Sequence, residues 1–263
     1  MRVHRALSLA VLVPVVALGA STAGAADGDA KDPRQLLKDA AASLAKVKSY
    51  HVSASSTDAD GTLRYTADVQ ASGNANVTLK GANGTFRLRK VSSTTYLSGD
   101  ARYWRNVGGK QGAALAKKLA GRWIKVAKAD AKEFAGIFTE IAPERIASCL
   151  VAPGTTGTLT AGKASSVGGT KADVLVDAGD EPGTAPGRLF LAASGDPLPL
   201  RLLQTGKVKP GGKATSCTDP DDTSTASDLR FSKFDEKLTI RAPKKVLKAP
   251  STGSGGGSTG TPV

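Results

Sequence analysis

Cysteine, histidine and aromatic residues are all scarce in this 263-residue chain: two Cys, two His, two Trp, four Tyr and six Phe. With so few histidines, no C-x-x-C pair and no His cluster, the chain lacks the ligand spacing of a structural or catalytic zinc site. The few aromatics do not interleave with a basic patch, which argues against a stacking platform for nucleic acid. The formal net charge is +13. The basic residues lie scattered among acids, Gly and Thr, and no helix carries a basic stripe. That pattern reads as a solvated basic surface with no nucleic-acid partner. Such a surface also favours anionic membrane headgroups or cell-wall polymers.

Long apolar runs are equally rare. There is one, Ala6 to Ala20, preceded by Arg2 and Arg5 and followed by small residues ending Ala23-Gly24-Ala25-Ala26. A positive n-region, a short apolar h-region and an A-x-A site make residues 1–25 a secretory signal peptide. The run holds Pro14 and is too short for a comfortable membrane span. Its removal takes two basic residues and no acidic one, so the charge falls from +13 to +11. The remainder is long enough to bury a sizeable core and reads as one domain over residues 26–248. Residues 249–263 are rich in Gly, Ser and Thr and read as a disordered tail. In an exported chain two cysteines pair, so Cys149 and Cys217 are expected to form a disulfide, worth roughly 4 kcal/mol at most on the chain-entropy model.

The ordered part opens with a helix. Asp32 is its N-cap and Pro33 its first residue, and Leu36, Leu37, Ala40, Ala41, Leu44 and Val47 share one face up to about Lys48. The period then changes to two. Tyr50, Val52 and Ala54 alternate with polar residues, as do Leu63, Tyr65, Ala67, Val69 and Ala71 after the turn at residues 58–61. Asn83-Gly84 marks a tight hairpin leading into Thr85–Val91, and Thr94–Leu97 continues the meander. Gln111–Leu119, Ala129–Phe138 and Pro143–Leu150 read as short helices, with a strand over Gly121–Val126 between the first two. Strands return at Gly157–Thr160, Ala172–Asp177, Arg188–Ala192, Leu198–Gln204 and Asp228–Ile240. Lys207–Ser227 is a long Gly/Pro/Asp-rich loop holding Cys217. The fold class is therefore α+β: a mostly antiparallel, strongly curved sheet with helices packed on its concave, apolar side.

Several stretches resemble one family in order and spacing. They are Leu36–Ala40 followed by Val47–Val52, then Gly121–Val126, then Leu189–Leu191 running on to Gly195-Asp196-Pro197-Leu198-Pro199-Leu200-Arg201, and last Phe231–Phe234 with Leu238–Ile240 and Pro243. Together they resemble the LolA-like fold, and within it the LppX–LprG family of actinobacterial lipoproteins. The resemblance implies a half-barrel closed by helices that holds lipid acyl chains, with no catalytic residues and no cofactor. The family usually bears a lipobox cysteine; in Leu18-Gly19-Ala20-Ser21 this chain has serine at that place. It is therefore expected to be extracytoplasmic without a lipid anchor.

The motifs that suggest catalysis are weak. His51, the one histidine outside the signal, lies on the polar side of a strand and reads as a surface residue. Gly157–Ala164 nearly matches a phosphate-binding loop, but Ala164 replaces the hydroxyl and no helix follows, so it reads as a turn between strands. Ser43-Leu44-Ala45-Lys46 matches S-x-x-K without its companion motifs. The sequons at Asn76 and Asn83 are what turns produce by chance. What remains is apolar: Tyr65, Val69, Phe86, Leu88, Phe134, Phe138, Leu189, Leu191, Leu200 and Leu202 line either a ligand cavity or a filled core, and both readings use the same residue types. The expected function is binding and transport of a lipid or lipidated partner in the cell envelope. The alternatives are an RseB-like envelope regulator that binds a partner protein, a structural wall protein, or a cell-wall enzyme of unrecognised type.

Overall fold

The structure is a computed structural model and describes residues 32–219 and 222–247. The expected signal peptide, Ser21 and the Gly/Ser/Thr-rich stretch over residues 249–263 lie outside those residues. Among the described residues there are twelve strands, and the chain divides into two compact units.

The first unit runs from Val47 to Arg145 and resumes at Ser232. Its strands are β1 (Ser49–Asp58), β2 (Gly61–Gln70), β3 (Ala75–Gly81), β4 (Gly84–Val91), β5 (Thr94–Gly99), β6 (Trp123–Lys125) and β12 (Val246–Leu247). They lie in the order β12-β6-β5-β4-β3-β2-β1, antiparallel except for β12 beside β6. Alternation drives the register. Val52 faces Ala67, Ala67 faces Val77, Val77 faces Leu88, Leu88 faces Leu97 and Leu97 faces Ile124. This apolar row is buried throughout, and each large side chain in it contributes about 1.5–3 kcal/mol through removal from water. Helices α2 (Ala101–Val107), α3 (Gly112–Leu119) and α4 (Ala131–Glu140) bury Tyr103, Trp104, Ala116, Leu119, Ile137 and Phe138. The sequence pattern assigned no element to α2 or β3. Helix α2 is only 7 residues long and is held by Asp100, whose Oδ1 accepts the Tyr103 amide at 2.7 Å while Oδ2 accepts the Thr85 amide at 2.8 Å.

Among the described residues the second unit comprises 32–46 and Ile146–Phe231. It holds α1 (Pro33–Leu44), most of α5 (Pro143–Leu150), β7 (Leu159–Val167), β8 (Thr170–Asp177), β9 (Gly187–Ala192), β10 (Pro199–Gln204) and nearly all of β11 (Ala226–Ser232). The strands follow the order β11-β10-β9-β8-β7, all antiparallel. Asp32 caps α1 as expected, accepting from the Arg34 amide at 3.1 Å. The helix ends at Leu44, earlier than its apolar stripe suggested. Cys149 and Cys217 are joined, with a Cα–Cα distance of 5.3 Å, tying the loop that holds Cys217 to α5.

Two expectations are corrected. Gly157–Ala164 is not a turn: residues 159–164 belong to β7. Gly162 sits in an irregular stretch of the β7–β8 ladder, where an added Cβ would lie 2.8 Å from the Val176 side chain, so this glycine serves close packing. The turn itself is Gly168-Gly169, both at positive φ, which suits a tight hairpin. The expected final strand over 228–240 stops at Ser232. Lys233 and Asp235 adopt φ of 55° and 58°, and the Asp235 carboxylate accepts the Lys48 amide at 2.6 Å. Beyond this turn, residues 236–245 form a strap across the first unit: the Gln70 side chain donates to the Leu238 carbonyl, Arg89 donates to the Arg241 carbonyl, and Ile240 is buried.

Candidate functional site

Two-residue alternation separates the strands of the first unit into an apolar and a polar face. In the first unit the apolar face has a deep part and a more open part. The row Val52–Ala67–Val77–Leu88–Leu97 is closed; Leu88 is 0% exposed. Next to it runs the row Ala54, Tyr65, Leu79, Phe86, in register across β1 to β4. Here Tyr65 and Phe86 are only half-buried. The Phe86 ring lies 5.1 Å from that of Tyr103, which in turn meets Trp104 edge-on at 5.1 Å. Burial raises the Tyr65 phenol well above its ordinary value, and it pushes Tyr103 up to about 12, with Glu133 adding to the effect. These phenols stay neutral.

Of the candidates from the sequence, Tyr65, Val69, Phe86 and Leu88 share this face. On α4, Phe138 is buried, with the Lys90 ammonium 5.6 Å from its ring centroid, and Phe134 is half-buried. Tyr50, a residue the sequence reading treated only as part of the alternation, is fully buried and donates its hydroxyl to the Ile141 carbonyl just beyond α4. Its pKa is raised, chiefly by burial.

The second unit treats its candidates differently. Leu189 and Leu202 are opposite one another, and Leu191 is on the same face. Leu189 borders a gap of only about 10 Å³, shared with Leu37, Leu150, Leu175 and Asp177. That is about the space of a single water, far short of an acyl chain. Leu200 does not join them. A bulge between Pro199 and Arg201 places it with Phe190 and Leu203 in a separate cluster on the other face. On that other face a cleft of about 300 Å³ lies among Gly162, Lys163, Val174, Arg188 and Phe190.

Asp177 ends β8 beside the small gap. Its Oδ1 accepts the amides of Gly157 at 3.0 Å and Gly179 at 2.8 Å, stapling two loops together. Burial nevertheless dominates and lifts its pKa to about 6, with Asp180 adding to the rise and Arg34 opposing it.

His51 lies on the polar face of the first unit, its Nδ1 2.8 Å from Asp68 Oδ1, directly across the ladder. Ser43 is half-buried near the end of α1, and Lys46 lies exposed beyond it. Among the described residues no group of three His, Cys, Asp or Glu side chains is placed to hold a metal ion, and no helix is long and apolar enough to cross a membrane.

The chain's architecture matches solved structures. LprF from Mycobacterium bovis superposes with a TM-score of 0.50 at 14% identity, over 80% of this chain and 96% of LprF. The fold is LolA-like. It is the α+β, mostly antiparallel arrangement expected, of the type shared by the LppX–LprG proteins. The lipoprotein LppX from Mycobacterium tuberculosis matches this LolA-like chain at a TM-score of 0.48 and 10% identity, over 79% of this chain and 97% of that one. MucB in complex with MucA follows at 0.38 and 14% identity, over 81% of this chain and 60% of MucB. No family pattern matches the sequence, and no curated protein is similar to it.

Proposed function

We propose that this is an exported envelope protein that binds a hydrophobic ligand, a lipid or lipidated partner, and carries it by sequestering acyl chains. The observation that carries the reading is the pair of half-exposed rings, Tyr65 and Phe86, on either side of buried Leu79 beside the closed apolar floor of the first unit. A LolA-like fold supports it, as does the N-terminal export signal read from the sequence. Each methylene moved from water to that face contributes about 0.8 kcal/mol, so a single acyl chain supplies ample affinity. Half-buried Phe134 on α4 would complete the contact surface. Leu189, Leu191 and Leu202 act in this reading as the packed core of the second unit, not as ligand contacts.

The test is mass spectrometry of an organic extract of protein recovered from its native host, together with transfer of labelled lipid between vesicles. Lipid is expected in the extract. Phe86→Asp, with its melting curve checked, should lower transfer about tenfold or more, since it sets a charge against hydrocarbon. Absence of both lipid and transfer would overturn the reading. Capture of a membrane-bound protein partner by lipid-free material would establish the regulator reading in its place.

A further inference from the structure

The polar face of the first unit collects mainly positive charge. Strand positions on this face carry Arg64, Lys80, Arg87, Arg89 and Lys125. The one carboxylate at these positions of β1 to β6 is Asp68, and it is engaged by His51. The strap crossing the face adds exposed Lys237, Arg241, Lys244 and Lys245 against one exposed acid, Glu236. At the centre, the guanidinium groups of Arg87 and Arg89 lie 5.5 and 4.8 Å from the ring centroid of Trp123. Their hydrogen bonds go to neutral acceptors: Arg87 to Ser98 Oγ at 3.4 Å, and Arg89 to Asn76 Oδ1 and the Arg241 carbonyl. Neither charge is compensated. Burial and the nearby Arg87 lower the pKa of Arg89, so an added anion would relieve the site. Beside Trp123, in register, lies Val246, an exposed large hydrophobic residue at 38% exposure.

From this arrangement we infer that the polar face, with its strap, docks on an anionic lipid bilayer. Paired guanidiniums suit phosphate oxygens, which accept planar forked donors. A soluble polyanion would need only the charges. The indole against the guanidiniums, and the exposed Val246 beside it on the edge strand, fit a headgroup layer, where amphipathic rings and small apolar wedges are stabilised. The strap holds the cations in place, because Ile240 is buried and Leu238 is hydrogen-bonded to Gln70. This surface lies on the side of the sheet opposite the aromatic row, so the inference stands whatever that row binds.

The test is flotation of the full chain, recovered from its host, with vesicles of phosphatidylcholine alone or mixed with phosphatidylglycerol. Binding is expected to require phosphatidylglycerol and to fall with salt. Arg87→Gln/Arg89→Gln should lower partitioning about 30-fold, from roughly a fivefold loss per cation. Lys244→Gln/Lys245→Gln, both exposed and safe for folding, should act similarly, and Val246→Asp should also weaken binding. Lys171→Gln in the second unit should leave it unchanged. Partitioning indifferent to the face variants would overturn the inference. So would binding to soluble polyphosphate, unchanged by Val246→Asp, in the absence of vesicle binding.

Discussion

Asp177 offers the most quantitative test of the structure. It is 3% exposed, and its carboxylate links the amides of Gly157 and Gly179. Two amide donors favour the anion, but removal from water disfavours it more, and the pKa rises from an ordinary 3.8 to about 6. A folded state that holds the proton more tightly than the unfolded chain is stabilised at low pH. The benefit is full below pH of about 4 and is lost as pH rises through about 6. A rise of about 2 pKa units corresponds to about 3 kcal/mol. Asp177→Asn keeps the shape and one acceptor oxygen but cannot ionise. The difference in unfolding free energy, variant minus parent, is therefore expected to grow in the variant's favour by about 3 kcal/mol between pH 4 and pH 7. Urea denaturation at a series of pH values measures it. A difference that stays flat would refute the claim that burial outweighs the amide staple. A difference that falls with pH would reverse the sign of the reasoning.

Two further outcomes follow from local geometry. Loss of the Cys149–Cys217 bond frees a segment with a sequence separation of 68, so Cys149→Ser/Cys217→Ser should cost about 4 kcal/mol in denaturant unfolding on the chain-entropy model; a cost under about 1 kcal/mol would show that the bond imposes no such constraint. Asp100→Ala removes the cap of α2 and its bond to Thr85, and should cost about 1–2 kcal/mol. Burial raises the pKa of Asp100 but the amides of Tyr103 and Thr85 outweigh it and lower it overall, so this contribution is present at neutral pH and disappears as pH falls below the ordinary carboxylate range, the reverse of Asp177; a variant whose deficit persists at the acid end would contradict it.

Local chemistry made much of this protein legible in one dimension. The Asp32–Pro33 cap, the two-residue alternation of β1, β2 and β4, and the hairpin at Asn83-Gly84 all depend on near neighbours, and their identities suffice. The same alternation marked Tyr65, Val69, Phe86 and Leu88 as companions, because a strand's faces follow its pleat. Failures came where distant groups decide. Nothing local shows that Asp235 will bond the Lys48 amide, so the end of β11 and the strap beyond it were read as one strand. Helix α2 depends on Asp100 reaching both its own turn and Thr85, an arrangement only the β4–β5 pairing creates. Gly162 looked like a loop glycine because the valines that crowd it are contributed by the next strand.

The sequence by itself determined the fold class, the α1 cap and the apolar stripes, since these are written in periodicity and turn residues. The cysteine pair was expected from compartment alone. Only the tertiary structure decided that Tyr65 and Phe86 stay half-exposed while the neighbouring apolar row is closed, that Leu200 turns away at a bulge, and that bases scattered along the chain gather on one face. Those outcomes depend on register and on long-range hydrogen bonds, which bring together residues whose separation in sequence carries no trace of their contact.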